Sequence, residues 1–592
     1  MFNLKSKARF FLQVVGLKAN LMLESGIMDE ESKRLAEELL FSGKPKPSFA
    51  KWLFFGVFDA DRVMPYPEVS VEEKREVDEL VVKVQAFMDR ELDADEIDRQ
   101  ARIPDKVIRG LGELGILSLT IPKAYGGLGM SQYAYCRVME EVAKRCAATA
   151  LFINAHQSVG LKALLLFGTE EQKKRWLPPL GEGRELAAFA LTEPNAGSDA
   201  GGLETTATWD PTKKVYRISG KKQWITNGSI AAILTVMAKV DGKVTAFLTT
   251  PDMPGFKVTA PALEKVGMRG SITSNLEFDN VEVPEANILG PKGGGLKVCL
   301  TVLDYGRTTF GATCTGMAKA CVQRAYKHAK SRHQFKRPLS SFALVKEKLA
   351  KMSAYLYAME ASVYLTAGLV DKGGDDFMLE SAIVKVFSSE ASWQILYDTM
   401  QIFGGRSFFT DHPFERMMRD ARLNMIGEGS NDVLRVFIAA IGLRDLGMGL
   451  KEIKEALYHP IDEKDKVWNF IKFSKRYFVS PKIPIKNEKL KNEALRLASN
   501  VRHFGIACTK ALAWHGEAIL EKQLVLNRLA TLAIALYTAS ATLCKMDAEG
   551  VSNDGRLYLL LAHRTVEEQL KNLLTSDDQA LEQLSDEISD KV

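Results

Sequence analysis

The sequence predicts an α+β fold of four parts in order: a helical domain, an antiparallel β-sheet domain, a four-helix bundle and an extra C-terminal helical domain. Its 592 residues exceed the size of one domain, and the composition is globular. Apolar residues recur at helical spacing up to about residue 185 and again beyond residue 298. Between these regions, short runs alternate apolar and polar residues and are broken by Gly, Asn, Asp and Pro, as in antiparallel strands.

The first helical domain has a recognisable start. Ser70 and Glu73 have the spacing of a capping box, which predicts a helix beginning near residue 70, and a second capping box is predicted at Thr169 and Gln172. The preceding residues form an N-terminal extension. Its opening segment, MFNLKSKARFFLQVVGLKANLML, carries lysine and arginine but no acid. A targeting or interfacial helix is one reading of this segment, and a docking helix is the favoured one.

Four apolar-periodic segments separated by glycine or proline predict the bundle, at residues 301–332, 340–372, 376–403 and 430–446. A polar, Pro-interrupted linker around residues 459–490 precedes a last helical region. The predicted domains are an N-terminal extension (1–69), a helical domain (70–187), a β-sheet domain (188–297), the bundle (298–450), a basic aromatic linker (451–491) and a C-terminal helical domain (492–592).

Composition restricts the class of function. A formal net charge of +5 is small for this length, so nucleic-acid binding is not expected. The seven cysteines form no CxxC pair, which predicts buried, reduced thiols, and the eight histidines show no HExxH, so no metal site is expected. The longest uncharged run, residues 529–544, is shorter than the roughly 20 residues that cross a bilayer, which predicts no spanning helix.

One acid, Glu428, lies between Gly427 and Gly429 directly before an apolar helical run. In most sequences an acid at such a place only stabilises the positive end of the helix dipole. Here the flanking glycines allow a ligand to approach the backbone, and residues 430–432 supply polar groups at the helix start. The residues alone leave both readings open.

A second polar cluster lies at the predicted helix-to-sheet junction. FALTEPNAGSDA, residues 189–200, is rich in hydroxyls and free amides and is followed by QWITNG, residues 223–228. The first motif fits a structural turn or a ligand-binding loop equally well. Trp224 fits either the core of the sheet or the face of a planar heterocycle.

With these motifs the chain resembles the acyl-CoA dehydrogenases, a flavoprotein family built from a helical domain, a sheet domain and a helical bundle. The resemblance covers residues 48–445 and depends on motifs in the family's order: LTEPNAGSDA, QWITNG, DYGR, SRHQF, QIFGG and GEGSNDVLR. FDADRVMPYPEV upstream and the C-terminal helical extension are similar to the very-long-chain subgroup.

The resemblance implies an FAD site and an acyl-CoA site. Positions that match flavin contacts are Phe189, Leu191, Thr192, Ser198, Trp224, Thr226, Ser430 and Asp432. Positions that match segments holding the FAD diphosphate and adenosine, in the family from across a homodimer, are Arg332, Gln334, Phe335, Gln401, Gly404 and Gly405. Positions that match the substrate region are Ser198, Asp304, Arg307 and Gly429.

Glu428 matches the catalytic base of the family. The reaction removes an α-proton from an acyl thioester while hydride leaves the β-carbon, so the base must be buried on the substrate face opposite the flavin. Burial raises a carboxyl pKa toward the roughly 6 to 7 that suits a base near neutrality. In the isovaleryl and long-chain branches the base instead precedes the bundle arginine, and that position is Gly306 here. Glu428 is therefore the one matching base.

The family also implies that the backbone N–H of this glutamate and a flavin ribityl hydroxyl bind the thioester oxygen, with Gly429 keeping the approach open. Three positions depart from the pattern. Gly427 replaces Tyr or Phe and predicts a looser shape over the thioester, Lys336 replaces Gly and predicts altered adenosine contacts or dimer packing, and Ser430 replaces Thr, a milder change.

The linker between residues 464 and 491 combines aromatic residues with an excess of lysine and arginine. One reading is a solvated linker whose aromatics dock on the core. The preferred reading is binding to a membrane surface, since aromatic insertion and basic attraction to anionic lipid supply both required interactions. The very-long-chain branch uses the corresponding region at a membrane, which supports this reading by analogy.

The sequence thus predicts an FAD-dependent dehydrogenase of long, unbranched acyl-CoA in fatty-acid β-oxidation, a homodimer that passes electrons to an electron-transfer flavoprotein. An oxidase-like flavoenzyme and an assembly or scaffold protein that retains the fold are the alternatives. The predicted location is the bacterial cytoplasm or the inner face of the inner membrane, with the mitochondrial matrix or inner membrane as the alternative.

Overall fold

The computed structural model describes residues 48–373, 376–458, 477–573 and 577–590. The N-terminal segment for which a docking or targeting helix was predicted lies outside these ranges, and so does the part of the linker from residue 464 to residue 476.

The N-terminal part is helical because its polar caps and apolar stripes agree. The Ser70 hydroxyl accepts a hydrogen bond from the backbone N–H of Glu73 (3.1 Å), and Thr169 with Gln172 forms the full reciprocal capping box. The helices are α1 (Phe49–Phe54), α2 (Ala60–Val63), α3 (Val71–Glu91), α4 (Ala94–Gln100), α5 (Asp105–Glu113), α6 (Gln132–Arg145), α7 (Ala147–Asn154), α8 (Lys162–Phe167) and α9 (Glu170–Gly181), with a π-helix at Ala155–Leu161 between α7 and α8.

The middle part is an eight-stranded sheet. The strands are β1 (Ala187–Ala190), β2 (Thr206–Asp210), β3 (Val215–Thr226), β4 (Ile233–Val240), β5 (Lys243–Thr249), β6 (Phe256–Ala260), β7 (Thr273–Pro284) and β8 (Ile288–Leu289). Hydrogen-bonded neighbours follow the order β6-β7-β3-β2-β4-β5-β8, and β1 pairs with β4. Most pairs are antiparallel, as predicted, but β1 and β4 are parallel and a single parallel residue pair joins β2 to β4.

Helices return after the sheet, at nearly the predicted segments. The bundle contains α10 (Gly295–Ser331), α11 (Ala343–Asp371), α12 (Met378–Phe403) and α14 (Asn431–Tyr458), with α13 (Phe414–Leu423) between the last two and a hairpin of β9 (His333–Gln334) and β10 (Arg337–Pro338) after α10. The C-terminal helices are α15 (Lys491–His515), α16 (Gln523–Glu549), α17 (Asn553–Asn572) and α18 (Asp578–Ser589). The polar tail was predicted without a helix, so α18 is a difference: its apolar residues repeat at helical spacing, although they remain exposed.

One apolar core runs through both helical regions and the bundle. A second core lies between the sheet and the helices packed on it, and a third lies within the sheet domain. All seven cysteines are buried and none of them forms a disulfide bond, as predicted. Two helical stretches, Ala147–Phe167 and Gln523–Glu549, are long and apolar enough to cross a bilayer, but 78% of the apolar window of each is buried inside the molecule. Such burial is typical of core helices.

His156 joins the helical domain to the sheet. The backbone N–H of Ala187 donates to its Nδ1 (2.9 Å), so Nε2 carries the proton and donates to the carbonyl of Leu117 (2.8 Å). Burial lowers the pKa of His156 to about 4, against these backbone contacts. The ring is therefore neutral at pH 7 and fixes the π-helix against the start of β1.

Candidate active site

Glu428 lies in a tight turn between α13 and α14. Its backbone is left-handed (φ +58°), and Gly429 continues the turn at φ +90°. The residue as a whole is half-buried, but its Oε2 atom is shielded from solvent and has no hydrogen-bond partner among the described residues. Burial raises the pKa of the carboxyl, and nearby cations oppose this shift. The helix-dipole reading does not fit, since Ser430 supplies the hydroxyl at the start of α14.

Two buried cations, Arg307 and Lys385, donate hydrogen bonds to backbone carbonyls of this turn. Arg307 on α10 donates from Nε to the carbonyl of Glu428 (3.4 Å) and from Nη1 to Asp304 (3.0 Å). Lys385 on α12 donates to the carbonyl of Gly429 (2.6 Å) and to Oδ1 of Asn431 (2.8 Å). Asp304 and Arg307, which the resemblance assigned to the substrate region, therefore form part of the support under the acid.

The alternative base position lies directly beside the acid. A Cβ atom added at Gly306 would lie 3.3 Å from Oε2 of Glu428 and 3.3 Å from a methyl of Val159 in the π-helix. A side chain at residue 306 would thus lie directly beside the carboxyl of Glu428. The next residue of the π-helix, Gly160, packs on the carbonyl of Ala187 at a distance that excludes any side chain. The π-helix therefore lies between the acid and the start of β1.

A β-bulge determines the orientation of Trp224. The pairing of β3 with β7 shifts register between Lys222 and Ile225, and Trp224 within the shift has φ +59°. Its ring is 63% exposed, so the sheet-core reading is wrong. Gln223, which with Trp224 opposes the single residue Asn275, donates its backbone N–H to the carbonyl of Thr192 (2.9 Å). The bulge thus presents the indole outward and ties the QWITNG strand to the FALTEPNAGSDA loop.

A buried ion pair fixes the inner side of that loop. Lys222 and Glu193 have almost no exposed side-chain area, and their Nζ and Oε1 atoms lie 2.6 Å apart. Nζ also donates to the carbonyl of Leu191 (3.1 Å), and Glu193 accepts the backbone N–H of Thr205 (3.2 Å). Burial lowers the pKa of Lys222 to about 8, and the charge of Lys222 keeps the pKa of Glu193 below its usual value despite burial. The pair is therefore ionic at pH 7.

The loop combines a fixed side with an open one. Glu193 is the structural part, while Phe189, Leu191 and Thr192 are half-buried and Ser198 is exposed. Among the described residues, no atom lies within 4 Å of a Cβ built at Gly197. Both readings of the motif are thus present in one loop, a turn on its inner side and accessible polar groups on its outer side.

The positions predicted to hold the FAD diphosphate and adenosine lie together at the end of the bundle formed by the last turns of α10 and α12. His328 in the last turn of α10 stacks on Phe403 at the end of α12 (4.1 Å between ring centroids), which brings the hairpin after α10 beside the glycines after α12. All six positions are exposed: Arg332, Gln334, Phe335, Gln401, Gly404 and Gly405. Within the described residues, no hydrogen bond or ring contact joins them to the Trp224 region.

The hairpin explains one departure from the family pattern. Its two central residues, Phe335 and Lys336, have φ values of +51° and +63°, as in a type I′ turn. Glycine adopts this conformation without strain, whereas a side chain costs about 1 kcal/mol. Lys336 carries a side chain in this conformation, and its neighbour Phe335 is 88% exposed.

Gly427 is a second departure. The nearest atoms to a Cβ built there belong to Leu423, at 3.7 Å, so a side chain at residue 427 would meet no closer neighbour among the described residues.

These residues fit a flavin. An exposed indole face, accessible hydroxyls at Ser198 and Thr226 and an open backbone at Gly197 match a planar, polar heterocycle, and the unpartnered Oε2 of Glu428 requires a ligand group to complete its surroundings. When bound, FAD accepts the hydride that leaves the substrate. In the part of the chain that the structure describes, no cluster of His, Cys, Asp or Glu could hold a metal ion.

The fold, together with a buried acid and an exposed aromatic ring, defines a flavin-dependent oxidoreductase. Family models described as the acyl-CoA dehydrogenase N-terminal, middle and C-terminal domains match residues 74–184, 188–281 and 293–443, and one described as the ACAD9/ACADV C-terminal domain matches residues 488–554. The chain belongs to the acyl-CoA dehydrogenase family. It is an enzyme that uses FAD to dehydrogenate acyl-CoA in fatty-acid oxidation.

Similar proteins agree with this assignment. The mitochondrial very long-chain specific acyl-CoA dehydrogenase of Bos taurus is 35% identical over 514 residues, 84% of this chain and 78% of that protein. A probable acyl-CoA dehydrogenase of Mycobacterium bovis, FadE10, is 38% identical over 434 residues, 70% of this chain and 66% of that protein. The Bacillus anthracis acyl-CoA dehydrogenase complexed with FAD has a TM-score of 0.75 and 27% identity, covering 90% of this chain and 94% of that one.

Two residues of the site were missed by sequence reasoning, Lys385 and Lys222. Lys385 has a signal in the sequence, because it interrupts the apolar run AIVKVF in a helix of the bundle and a lysine in such a run is buried only when it has a partner. Lys222 has no such signal, because it stands in the polar run SGKKQ and only the structure shows its burial.

Proposed function

We propose that this enzyme oxidises long, unbranched acyl-CoA to the trans-2-enoyl-CoA with Glu428 as the base that removes the α-proton. One observation carries the proposal. Glu428 Oε2 is buried, has no partner within the described residues, and lies beside the position where other branches carry the base. The name of the bovine relative and the match to the ACAD9/ACADV C-terminal domain support the long chain length.

In this mechanism the chain's own groups perform five tasks. The turn at Glu428 directs the carboxylate into the site, and burial raises its proton affinity so that it can accept the α-proton at Oε2. Among the described residues, no acceptor pairs with the backbone N–H of Glu428, which is free to bind the thioester oxygen and stabilise developing negative charge. Arg307 holds the turn from α10, and the exposed ring of Trp224 would contact the cofactor from the sheet.

The substrate proposal predicts an order of activities. With an artificial electron acceptor, kcat/KM is expected to rise as the straight acyl chain lengthens from butyryl-CoA to palmitoyl-CoA, because each buried methylene contributes about 0.8 kcal/mol. Branched isovaleryl-CoA is the matched control and is expected to be a poor substrate. Highest activity with a short or branched acyl-CoA would contradict the chain-length proposal while leaving the base assignment untouched.

Electron-transfer flavoprotein is the acceptor that we propose. Replacing it by oxygen distinguishes the oxidase alternative, because an oxidase forms hydrogen peroxide at the rate of substrate consumption without a flavoprotein acceptor. A stable respiratory-chain complex recovered by affinity purification would support the scaffold alternative as a second role. The intact Glu428, Arg307 and flavin-loop residues favour catalysis over scaffolding alone.

We propose that two chains form a homodimer in which the exposed residues at the end of the bundle formed by the last turns of α10 and α12 complete the partner's FAD site. The exposure of these residues and their separation from the Trp224 region support this arrangement.

We propose the same six domain boundaries that the sequence predicts. We also propose that the protein is located in either a mitochondrial matrix or a bacterial cytoplasm, which the names of the bovine and mycobacterial relatives support.

Binding of the linker to a membrane surface is a further part of the proposal. Of its described residues, Tyr477 and Ile483 are buried, whereas Phe478 and Val479 are 53% and 67% exposed. The hydroxyls of Tyr477 and of Thr509 in α15 share a hydrogen bond, so part of the linker docks on the core, as the alternative reading requires. The exposed pair and the neighbouring lysines remain for lipid contact.

This proposal predicts flotation with anionic liposomes that decreases as salt is added, because salt screens the attraction of lysine to lipid. A variant with Lys464, Lys466, Lys472 and Lys475 changed to Gln keeps the buried Tyr477 and Ile483 in place and is expected to lose flotation. Liposomes of neutral lipid serve as the control. Equal flotation of the variant and the wild type would contradict membrane binding through this segment.

A further inference from the structure

Lys385 is a fully buried lysine whose Nζ has no carboxylate within ion-pair distance among the described residues. It lies on α12, where its chain neighbours Val384 and Val386 are apolar. Its Nζ donates to the carbonyl of Gly429 (2.6 Å) and to Oδ1 of Asn431 (2.8 Å). A buried charge is costly unless it is paired, because burial removes it from water. A buried ammonium without a carboxylate partner next to the turn of Glu428 is therefore expected to have a functional reason.

Lys385 and Arg307 together hold the backbone of the turn. Lys385 and Arg307 reach the turn from two different helices and bind the carbonyls of consecutive residues, Gly429 and Glu428. Both of those residues have left-handed backbones, and Glu428 is strained in that conformation because it has a side chain. The two hydrogen bonds keep the strained turn in one conformation, which fixes the direction of the carboxylate.

The positive charge of Lys385 also acts on the carboxyl of Glu428. The ionisable groups that act electrostatically on Glu428 are Arg307 and Cys299 on α10, Lys385 on α12 and Tyr135 on α6. Burial raises the pKa of the Cys299 thiol and of the Tyr135 hydroxyl, so both are uncharged at pH 7. Two acids lie near the cations, Asp304 on α10 and Glu390 on α12, and the π-helix contributes the uncharged Val159. Asp304 is paired with Arg307, and Glu390 with Arg435 (2.6 Å). Burial lowers the pKa of Lys385 to about 8, so it is still a cation at pH 7. Burial raises the pKa of Glu428, and Arg307 and then Lys385 oppose the rise.

We propose that Lys385 is a positioning residue of the reaction: its ammonium holds the turn at Glu428 and Gly429 and places a positive charge near the base. The inference depends on the proposed role of Glu428 as the base. Lys385 itself does not touch the reacting atoms in this arrangement. It acts through the conformation and the proton affinity of Glu428.

The test is the pH profile of kcat/KM, whose acidic limb reports the base of the free enzyme. Lys385→Met removes the charge at similar volume and is expected to move the midpoint of that limb upward by about one pH unit, a tenfold loss of kcat/KM below both midpoints. Lys385→Arg keeps the charge and is expected to restore the wild-type midpoint, even where its bulk lowers the plateau. Lys385→Gln replaces the Met variant where that variant does not fold.

A second readout does not require turnover. A bound 3-thiaacyl-CoA can lose its α-proton but is not oxidised. The absorbance of its complex with the holoenzyme measures the loss of this proton as the pH is varied. The midpoint of this titration is expected to move upward in Lys385→Met and Lys385→Gln, as in the rate profile.

Lys319→Met provides a matched control for a purely structural role. Lys319 is a mostly buried lysine of α10 that is paired with Glu140 and Glu360, away from the base. Its loss is expected to reduce stability and leave both midpoints unchanged. The proposal is overturned if Lys385→Met and Lys385→Gln also lose stability with unchanged midpoints. Full activity of Glu428→Gln would instead overturn the base assignment, so the two failures are distinguishable.

Discussion

Glu428→Gln is expected to lower kcat by about 10⁴-fold while FAD stays bound. The amide has the shape of the carboxyl but cannot accept the α-proton. The surroundings of residue 428 otherwise stay in place, since Arg307 and Lys385 bind backbone carbonyls rather than the side chain. Steady-state kinetics with the best acyl-CoA measures the loss, and the flavin absorbance of the purified variant measures cofactor content.

A second buried acid provides the matched control. Glu380 on α12 is fully buried, burial raises its pKa to about 7, and its Oε2, like that of Glu428, has no partner within the described residues. Its Oε1 accepts the backbone N–H of Ala50 (2.8 Å), away from the base. Glu380→Gln is expected to keep kcat within about threefold. Residual activity of Glu428→Gln above about 1% of wild type would sink the assignment of the base.

Lys222→Met is expected to destabilise the sheet domain by about 3–5 kcal/mol, because it leaves the carboxylate of Glu193 buried without its cation. The FALTEPNAGSDA loop then loses the donor that holds Leu191 and Glu193, so Thr192 and Ser198 are no longer fixed and FAD content is expected to fall. Hydrogen exchange of peptides covering residues 189–205 and 219–228 measures the local loss, which global unfolding of a multidomain chain would obscure.

Two variants separate this effect from a general loss of charge. Lys213 in the same domain forms an exposed ion pair with Glu282 (2.7 Å), and Lys213→Met is expected to cost at most about 1 kcal/mol. Replacing both partners, Lys222→Met with Glu193→Gln, removes the unpaired charge and is expected to recover part of the protection. Equal exchange in Lys222→Met and Lys213→Met would contradict the role of the buried pair.

Most of the fold could be predicted because its signals are local. Capping residues and apolar periodicity placed α3, α9 and the bundle helices close to their observed bounds, since both depend on neighbours within one or two turns. The parallel pairing of β1 with β4 was not predicted, because Ala187 pairs with Ile233, which follows two intervening strands in the chain. Nothing in a short run of alternating residues specifies such a partner.

The order of domains, the acid between two glycines and the family were determined by the sequence alone, because they depend on residue types at short spacings. Tertiary structure decided what surrounds these residues. It placed Gly306 beside the carboxyl of Glu428, turned Trp224 outward at a bulge, and brought Lys385 and Arg307 from two helices to adjacent carbonyls. The proton affinity of Glu428 depends on burial and on charges that are distant from it in the chain, and only the packed molecule brings those groups within range.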